Sequence, residues 1–166
     1  MGDMDDIVRE FLIESYENLD QLDQDLVALE GSPDSRALLG SIFRTIHTIK
    51  GTAGFLAFGL LERIAHAGEN LLVELRDGQR LMDMPTTNVL LRMVDTIREI
   101  LRTIEASGAE GEIAVDEVID QIREVLENRE TKVKSTGTAR AAESRASVMV
   151  PSPYAEPVNP VAAPAP

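Results

Sequence analysis

The chain has 166 residues and a formal net charge of −13, with 43% hydrophobic and only 4% aromatic residues. This composition suits one mainly aliphatic core, and the negative charge argues against binding to nucleic acid phosphates. The absence of cysteine excludes disulfides and cysteine-ligated zinc, and it is consistent with a cytoplasmic protein. We expect neither a membrane span, since no apolar run approaches roughly 18 residues, nor a secretory signal, since the N-terminus is acidic.

The first predicted helix covers residues 5–30. Its core-facing seam follows an alternating three-and-four spacing, with Phe11 beside it: Val8, Leu12, Ser15, Leu19, Leu22, Leu26 and Leu29. The outer face is acidic and is opposed only by Arg9, and we interpret it as a solvated face: Asp5, Asp6, Glu10, Glu14, Glu17, Asp20, Asp23 and Asp25.

The second predicted helix, about 35–56, contains the most informative pattern in the chain. Its apolar stripe comprises Leu39, Ile42, Ile46, Ile49, Ala53 and Leu56. His47 lies about 100° from this stripe, at the edge of the buried face. Lys50, Gly51 and Gly54 share the face of His47. Because a glycine inside a helix costs roughly 1 kcal/mol relative to alanine, we interpret the two glycines as open space for an approaching protein.

The third predicted helix, about 60–76, follows a tight apolar connection at 55–59 and should therefore pack antiparallel to the second helix. His66 and Glu69 are three residues apart and share a face just beside the inward stripe. Each helix of this predicted hairpin thus carries a histidine at the boundary of the core, and one also carries a carboxylate.

Two more helices are predicted, from Met84 to Ser107 and at about 115–129, and no strand is expected. The fold class is all-α: an antiparallel four-helix bundle with a fifth C-terminal helix and a disordered tail. We expect a five-helix domain over 1–130 and a flexible linker over 131–166, which is rich in alanine, proline and serine. A linker in this position suggests the N-terminal piece of a larger multidomain protein.

The histidine pair and its neighbours could support nucleophilic chemistry, for example on a phosphoryl group. A neutral imidazole is a good nucleophile, and a carboxylate that accepts the Nδ1–H fixes the tautomer that leaves Nε2 free. Glu69 can supply that carboxylate to His47 if the second and third helices pack side by side. Lys50 and His66 could neutralise the charge of a bound phosphoryl group. Because the chain has no phosphate-binding loop and no nucleotide fold, it can accept a phosphoryl group but is not expected to extract one from ATP.

Residues 47–51 (HTIKG), followed by Ala53-Gly54 and by residues 66–72 (HAGENLL), closely resemble the histidine phosphotransfer (HPt) domain of CheA-type chemotaxis histidine kinases. The resemblance implies that His47 is phosphorylated and that Glu69 orients it. It further implies that Lys50 and His66 assist phosphorylation, and that Gly51 and Gly54 leave room for docking.

The same resemblance implies partners for the chain. A CheA-type kinase catalytic domain, which holds the ATP and magnesium, would phosphorylate His47, and a CheY-like or CheB-like response regulator would receive the group on an aspartate. This domain itself would need no cofactor and no metal, and its partners would include neither nucleic acid nor a membrane.

Two alternatives remain open at this point. A metal-binding bundle could use His47, His66, Glu69 and Glu62, although di-iron bundles place more carboxylate and histidine ligands inward. A purely structural interaction bundle would need no reactive histidine, but it would leave the two glycines beside His47 unexplained.

Overall fold

The structure is a computed structural model that describes residues 2–128, so the predicted linker 131–166 and the predicted end of the fifth helix at residue 129 lie outside the described residues. The first four helices are α1 (Asp3–Gly31), α2 (Arg36–Phe55), α3 (Gly59–Arg76) and α4 (Met84–Ser107). A fifth helix, α5, covers residues 115–128, and residues 2–128 contain no strand. The predicted all-α architecture is confirmed.

The helix ends follow from local sequence. Ser35 precedes α2, and its Oγ accepts a hydrogen bond from the Leu38 N–H. Asp83 caps α4 in the same way, accepting from the Thr86 N–H at 2.9 Å, and Pro85 occupies the first turn of that helix. Gly108 ends α4 with φ 74°, a left-handed conformation that glycine adopts without steric cost.

The helices pack in a closed ring. α2 packs most extensively on α3 and also on α1, while α4 completes the bundle against α3 and α1. The predicted stripes of α2 and α3 are buried in this core: Leu39, Ile42, Ile46, Ile49, Ala53 and Leu56 from α2, and Leu61, Ile64, Gly68, Leu71, Leu72 and Leu75 from α3. Burial of these side chains fixes the rotation of α2 and α3 about their axes, and therefore fixes which residues face the solvent beside them.

The interpretation of the acidic residues of α1 as a solvated face is wrong for two of them. Asp25 is buried, because it lies three residues after Leu22 and four before Leu29 and so falls on the core seam. One of its carboxylate oxygens accepts a hydrogen bond from Gln21 at 3.0 Å. Asp23 is half-buried and forms an ion pair with Arg98 of α4. Part of the acidic run therefore ties α1 to the bundle.

Two side chains from loops hold the bundle together where the helices meet the connections. Glu110, between α4 and α5, accepts hydrogen bonds from the backbone N–H groups of Leu60 and Leu61 at 3.1 and 2.7 Å. This carboxylate satisfies two free N–H groups in the first turn of α3 and complements the helix dipole there. Arg80, between α3 and α4, is almost fully buried and donates to the carbonyl of Val125 in α5.

Gly68 of α3 lies directly against the side chain of Met93 of α4. A Cβ atom placed on it would lie 1.9 Å from the Sδ of Met93, so a side chain at this position would displace the methionine. Gly40 of α2 provides a contrast, because a Cβ there would meet nothing within 4 Å.

We therefore predict opposite effects of two glycine-to-alanine substitutions. Gly68→Ala should lower the free energy of unfolding by about 1–3 kcal/mol through overpacking against Met93. Gly40→Ala, its control, should leave stability unchanged or raise it by up to about 1 kcal/mol, since alanine favours the helix. Urea unfolding followed by circular dichroism measures both, and equal midpoints for the two variants would contradict the close approach at Gly68.

Candidate functional site

His47 lies in the middle of α2 between two buried isoleucines, yet 59% of its side chain is exposed. The packing of α2 on α3 brings Glu69 of α3 next to it. The Nδ1 of His47 lies 2.8 Å from the Oε2 of Glu69. Because an ionised carboxylate can only accept a hydrogen bond, this contact assigns a proton to Nδ1, so in the neutral imidazole the free lone pair is that of Nε2.

Lys50 binds the other oxygen of the same carboxylate. Its Nζ donates to Glu69 Oε1 at 2.8 Å, and the side chains of Lys50 and Glu69 are only 24% and 14% exposed. Glu69 is thus held by two donors from successive turns of α2, and each of its oxygens serves one of them. Sequence reasoning paired Glu69 with His47 but did not anticipate its bond to Lys50.

The environment of Glu69 favours its ionised form. Burial acts to raise the pKa of Glu69, but the hydrogen bonds from Lys50 and His47, together with their charges, hold that pKa below its ordinary value of 4.5. Glu69 therefore remains an acceptor throughout the neutral range.

The other predicted site residues lie around this cluster. His66 is exposed on α3, one helical turn before Glu69, and within residues 2–128 it has no hydrogen-bond or ion-pair partner. Gly51 is exposed, and a Cβ there would meet nothing within 4 Å. Gly54 is also exposed, but a Cβ there would lie 3.2 Å from the carboxylate of Glu62. The space beside Gly51 is therefore fully open, whereas the space beside Gly54 is partly filled.

Sequence reasoning missed one neighbour of His47, Phe43, and the contact of Arg76 with that neighbour. The ring of Phe43 stacks on the imidazole of His47, with centroids 5.7 Å apart and planes inclined by 17°. The guanidinium of Arg76, at the end of α3, lies 4.3 Å from the centroid of the same Phe43 ring. Phe43 precedes His47 by four residues, so helical spacing alone could have identified it as a neighbour.

The described part of the chain offers two further observations on the class of site. Among residues 2–128, no three His, Asp or Glu side chains form a group that could hold a metal ion. None of the helices in this part is both long enough and apolar enough to cross a membrane.

The fold and the site define a helical bundle that presents one oriented, exposed histidine. Comparison with known families gives the same class: the Hpt domain family matches residues 6–131. The chain therefore belongs to the Hpt domain family.

Its relatives include chemotaxis kinases. The chain is 34% identical over 142 residues to the sensor histidine kinase CheAY of Helicobacter pylori, an alignment that covers 83% of this chain and 18% of the relative. It is 33% identical over 124 residues to the chemotaxis protein CheA of Halobacterium salinarum, covering 75% of this chain and 18% of that protein. The chain thus spans about a fifth of the length of these relatives.

Solved structures show the same fold. The phosphorylated P1 domain of CheA3 from R. sphaeroides, solved in complex with CheY6, matches with a TM-score of 0.68 and 30% identity, over 75% of this chain and 98% of that one. The solution structure of the histidine phosphotransfer domain of CheA matches with a TM-score of 0.66 and 27% identity, over 72% of this chain and 91% of that one.

The lowered pKa of Glu69 predicts a pH-dependent contribution to stability. A carboxylate whose pKa is lower in the folded state stabilises the fold above its unfolded pKa, and this contribution is lost as the pH falls through the folded pKa. The amide introduced by Glu69→Gln replaces one acceptor oxygen with an NH2 donor, so His47 and Lys50 can no longer each bind a separate oxygen as they do in the wild type.

We expect wild type to be more stable than Glu69→Gln at neutral pH, with a difference that shrinks as the pH falls below about 4.5. Denaturant unfolding of both proteins measures this difference between about pH 3 and 7, a range chosen to include the ordinary titration of carboxyl groups. Glu62→Gln is the control, because it alters an exposed carboxylate of the same helix. A difference for Glu69→Gln that is constant across this range would contradict the lowered pKa.

Proposed function

We propose that this chain is the phosphoacceptor and phosphotransfer domain of a chemotaxis-type two-component histidine kinase. The observation that carries the proposal is the geometry of His47, whose Nδ1 is bound to Glu69 at 2.8 Å while most of the side chain faces solvent. Membership of the Hpt family and the resemblance to CheA proteins support the same function.

In the first step, the lone pair of His47 Nε2 attacks the γ-phosphorus of ATP bound with magnesium to a separate kinase domain. The bond from this phosphorus to the β,γ-bridging oxygen breaks, and ADP leaves with the electron pair. The proton on Nδ1 stays in its hydrogen bond to Glu69. As Nε2 bonds to phosphorus the ring becomes cationic, and the carboxylate of Glu69 stabilises that charge.

In the second step, a carboxylate oxygen of an aspartate on a response regulator attacks the phosphorus. The Nε2–P bond breaks and its electron pair returns to Nε2, so His47 regains its starting form. CheY-like and CheB-like regulators are the proposed acceptors. The R. sphaeroides neighbour, whose phosphorylated P1 domain was solved in complex with CheY6, supports this choice.

Lys50 and His66 are proposed to assist the transfer. An ammonium has three N–H donors, and the bond to Glu69 uses one of those of Lys50, which leaves others for phosphoryl oxygens. His66 is exposed one turn from Glu69 and, when protonated, would add a second cation. Gly51 and Gly54 are proposed to give the kinase and regulator domains close access to Nε2.

The proposal needs no cofactor or metal in this domain, since ATP and magnesium belong to the kinase domain. We place the reaction in the cytoplasm, where ATP is available. Nucleic acid and membrane are not among the proposed partners.

The first test is phosphorylation of His47 itself. With ATP, magnesium and a CheA-type kinase core lacking its own phosphotransfer domain, wild type should gain one phosphate that is lost in acid and retained in base. His47→Gln should gain none. His66→Gln is the matched control and should still be phosphorylated, at a lower rate. Equal labelling of His47→Gln and wild type would refute the assignment, and no labelling by several cores would favour a plain interaction bundle.

The second test concerns Lys50. Lys50→Ala removes a charge-assisted donor and should slow phosphorylation of His47 about 10-fold. Lys50→Arg keeps a cation at this position and should recover part of the rate. Phosphorylation under single-turnover conditions measures both variants, and a rate for Lys50→Ala equal to wild type would remove Lys50 from the site.

A further inference from the structure

The imidazole of His47 is held at two places, and Glu69 accounts for one of them. Glu69 holds Nδ1 at the edge of the ring through a single hydrogen bond. Phe43 contacts the face of the ring as an offset stack, and it lies one helical turn towards the N-terminus of α2.

The two contacts restrict different motions. A single hydrogen bond restrains one atom of the imidazole, but the plane of the ring can still tilt by rotation about the side-chain bonds of His47, because the flexible Glu69 side chain can follow Nδ1. A second ring against one face prevents that rotation, because turning the imidazole would drive it into the neighbouring ring. Phe43 is itself half-buried and packed against the core, so it provides a fixed surface for the more exposed imidazole.

Arg76 fixes Phe43 in turn. Its guanidinium lies over the Phe43 ring at 4.3 Å and is anchored by its Nε, which donates to Asp77 at 3.1 Å. A guanidinium over an aromatic face is attracted by the ring quadrupole, so Arg76 resists movement of Phe43 away from His47. Because Phe43 and His47 belong to α2 and Arg76 belongs to α3, the stack also helps to hold the end of α3 in place against the middle of α2.

We propose that Phe43, clamped by Arg76, is a positioning residue that fixes the plane of the His47 imidazole and so directs Nε2 at the incoming phosphorus. This inference rests on the proposed function of His47 as nucleophile. Arg76 touches neither His47 nor the phosphoryl group in this scheme and acts through Phe43. Orientation of a reacting group in advance lowers the barrier because the ordering is complete before the phosphoryl donor arrives.

The test uses phosphoramidate, a small phosphoryl donor that needs no kinase domain and no docking. Phe43→Leu removes the aromatic face but keeps an apolar side chain, and Phe43→Tyr restores the ring. Phe55→Leu is the matched control, because Phe55 also lies on α2, is 80% exposed and makes no ring contact within the described part of the chain. Arg76→Gln removes the guanidinium from the Phe43 ring at a partly exposed position, where the substitution should not prevent folding. This variant therefore still tests the inference if Phe43→Leu does not fold.

We expect Phe43→Leu to slow phosphorylation of His47 by about 2- to 12-fold and to increase the share of phosphate on Nδ1 instead of Nε2. Phe43→Tyr should recover the rate and the preference for Nε2, and Phe55→Leu should match wild type. Heteronuclear NMR distinguishes the two phosphohistidine isomers. It also reports contacts between the Phe43 and His47 rings, which Arg76→Gln should weaken.

The double variant Phe43→Leu/Arg76→Gln tests whether Arg76 acts through Phe43 or independently of it. If Arg76 acts through Phe43, then adding Arg76→Gln to Phe43→Leu should cause no further loss of rate. Equal rates and isomer ratios for wild type, Phe43→Leu and Arg76→Gln would overturn the inference. It would also be overturned if the double variant lost rate by the sum of the two single effects, because Arg76 would then act independently of Phe43. If wild type accepts no phosphate at His47 from phosphoramidate or from any kinase core, the proposed function itself fails, and the inference fails with it.

Discussion

The shared carboxylate of Glu69 is the interaction on which the rest of the site depends. Its two oxygens bind the imidazole of His47 and the ammonium of Lys50, each at 2.8 Å, so it connects two successive turns of α2 to α3. This geometry exists only because the apolar stripes of α2 and α3 are buried against each other, which fixes the rotation of both helices. The core therefore positions the site without contributing any reactive group to it.

The charge of the chain is distributed in a way that suits a histidine that would carry a phosphoryl group. The whole sequence has a net charge of −13, which would repel a phosphate. α2 contains no aspartate or glutamate, and its charged residues are Arg36, Arg44 and Lys50. Glu69 is the acidic side chain bound directly to His47, and Lys50 neutralises it. α2 itself thus adds positive and no negative side-chain charge next to His47, which favours approach of an anionic donor.

Most of the fold and part of the site could be predicted from the sequence, for identifiable physical reasons. Helical periodicity reports burial directly, so the five helices and the edge position of His47 followed from spacing alone. Contacts between helices depend on rotation and side-chain conformation, which spacing does not determine. The bond between Lys50 and Glu69 and the contact of Arg76 with Phe43 are of this kind. Asp25 was misread because charge was given more weight than its place on the seam of α1.

The glycines show how far packing explains the sequence around His47. Gly68 is required by the core, because Met93 occupies the space that a side chain would fill. Gly51 has no such reason: a Cβ there would meet no atom within 4 Å, and alanine would favour the helix by roughly 1 kcal/mol. Gly51 is thus a glycine that packing does not require, and it lies one turn from the exposed and oriented imidazole of His47. Its lack of a side chain is consistent with close contact from outside the chain. The surface beside His47 therefore has the form expected where another domain must bring a phosphorus atom within reach of Nε2.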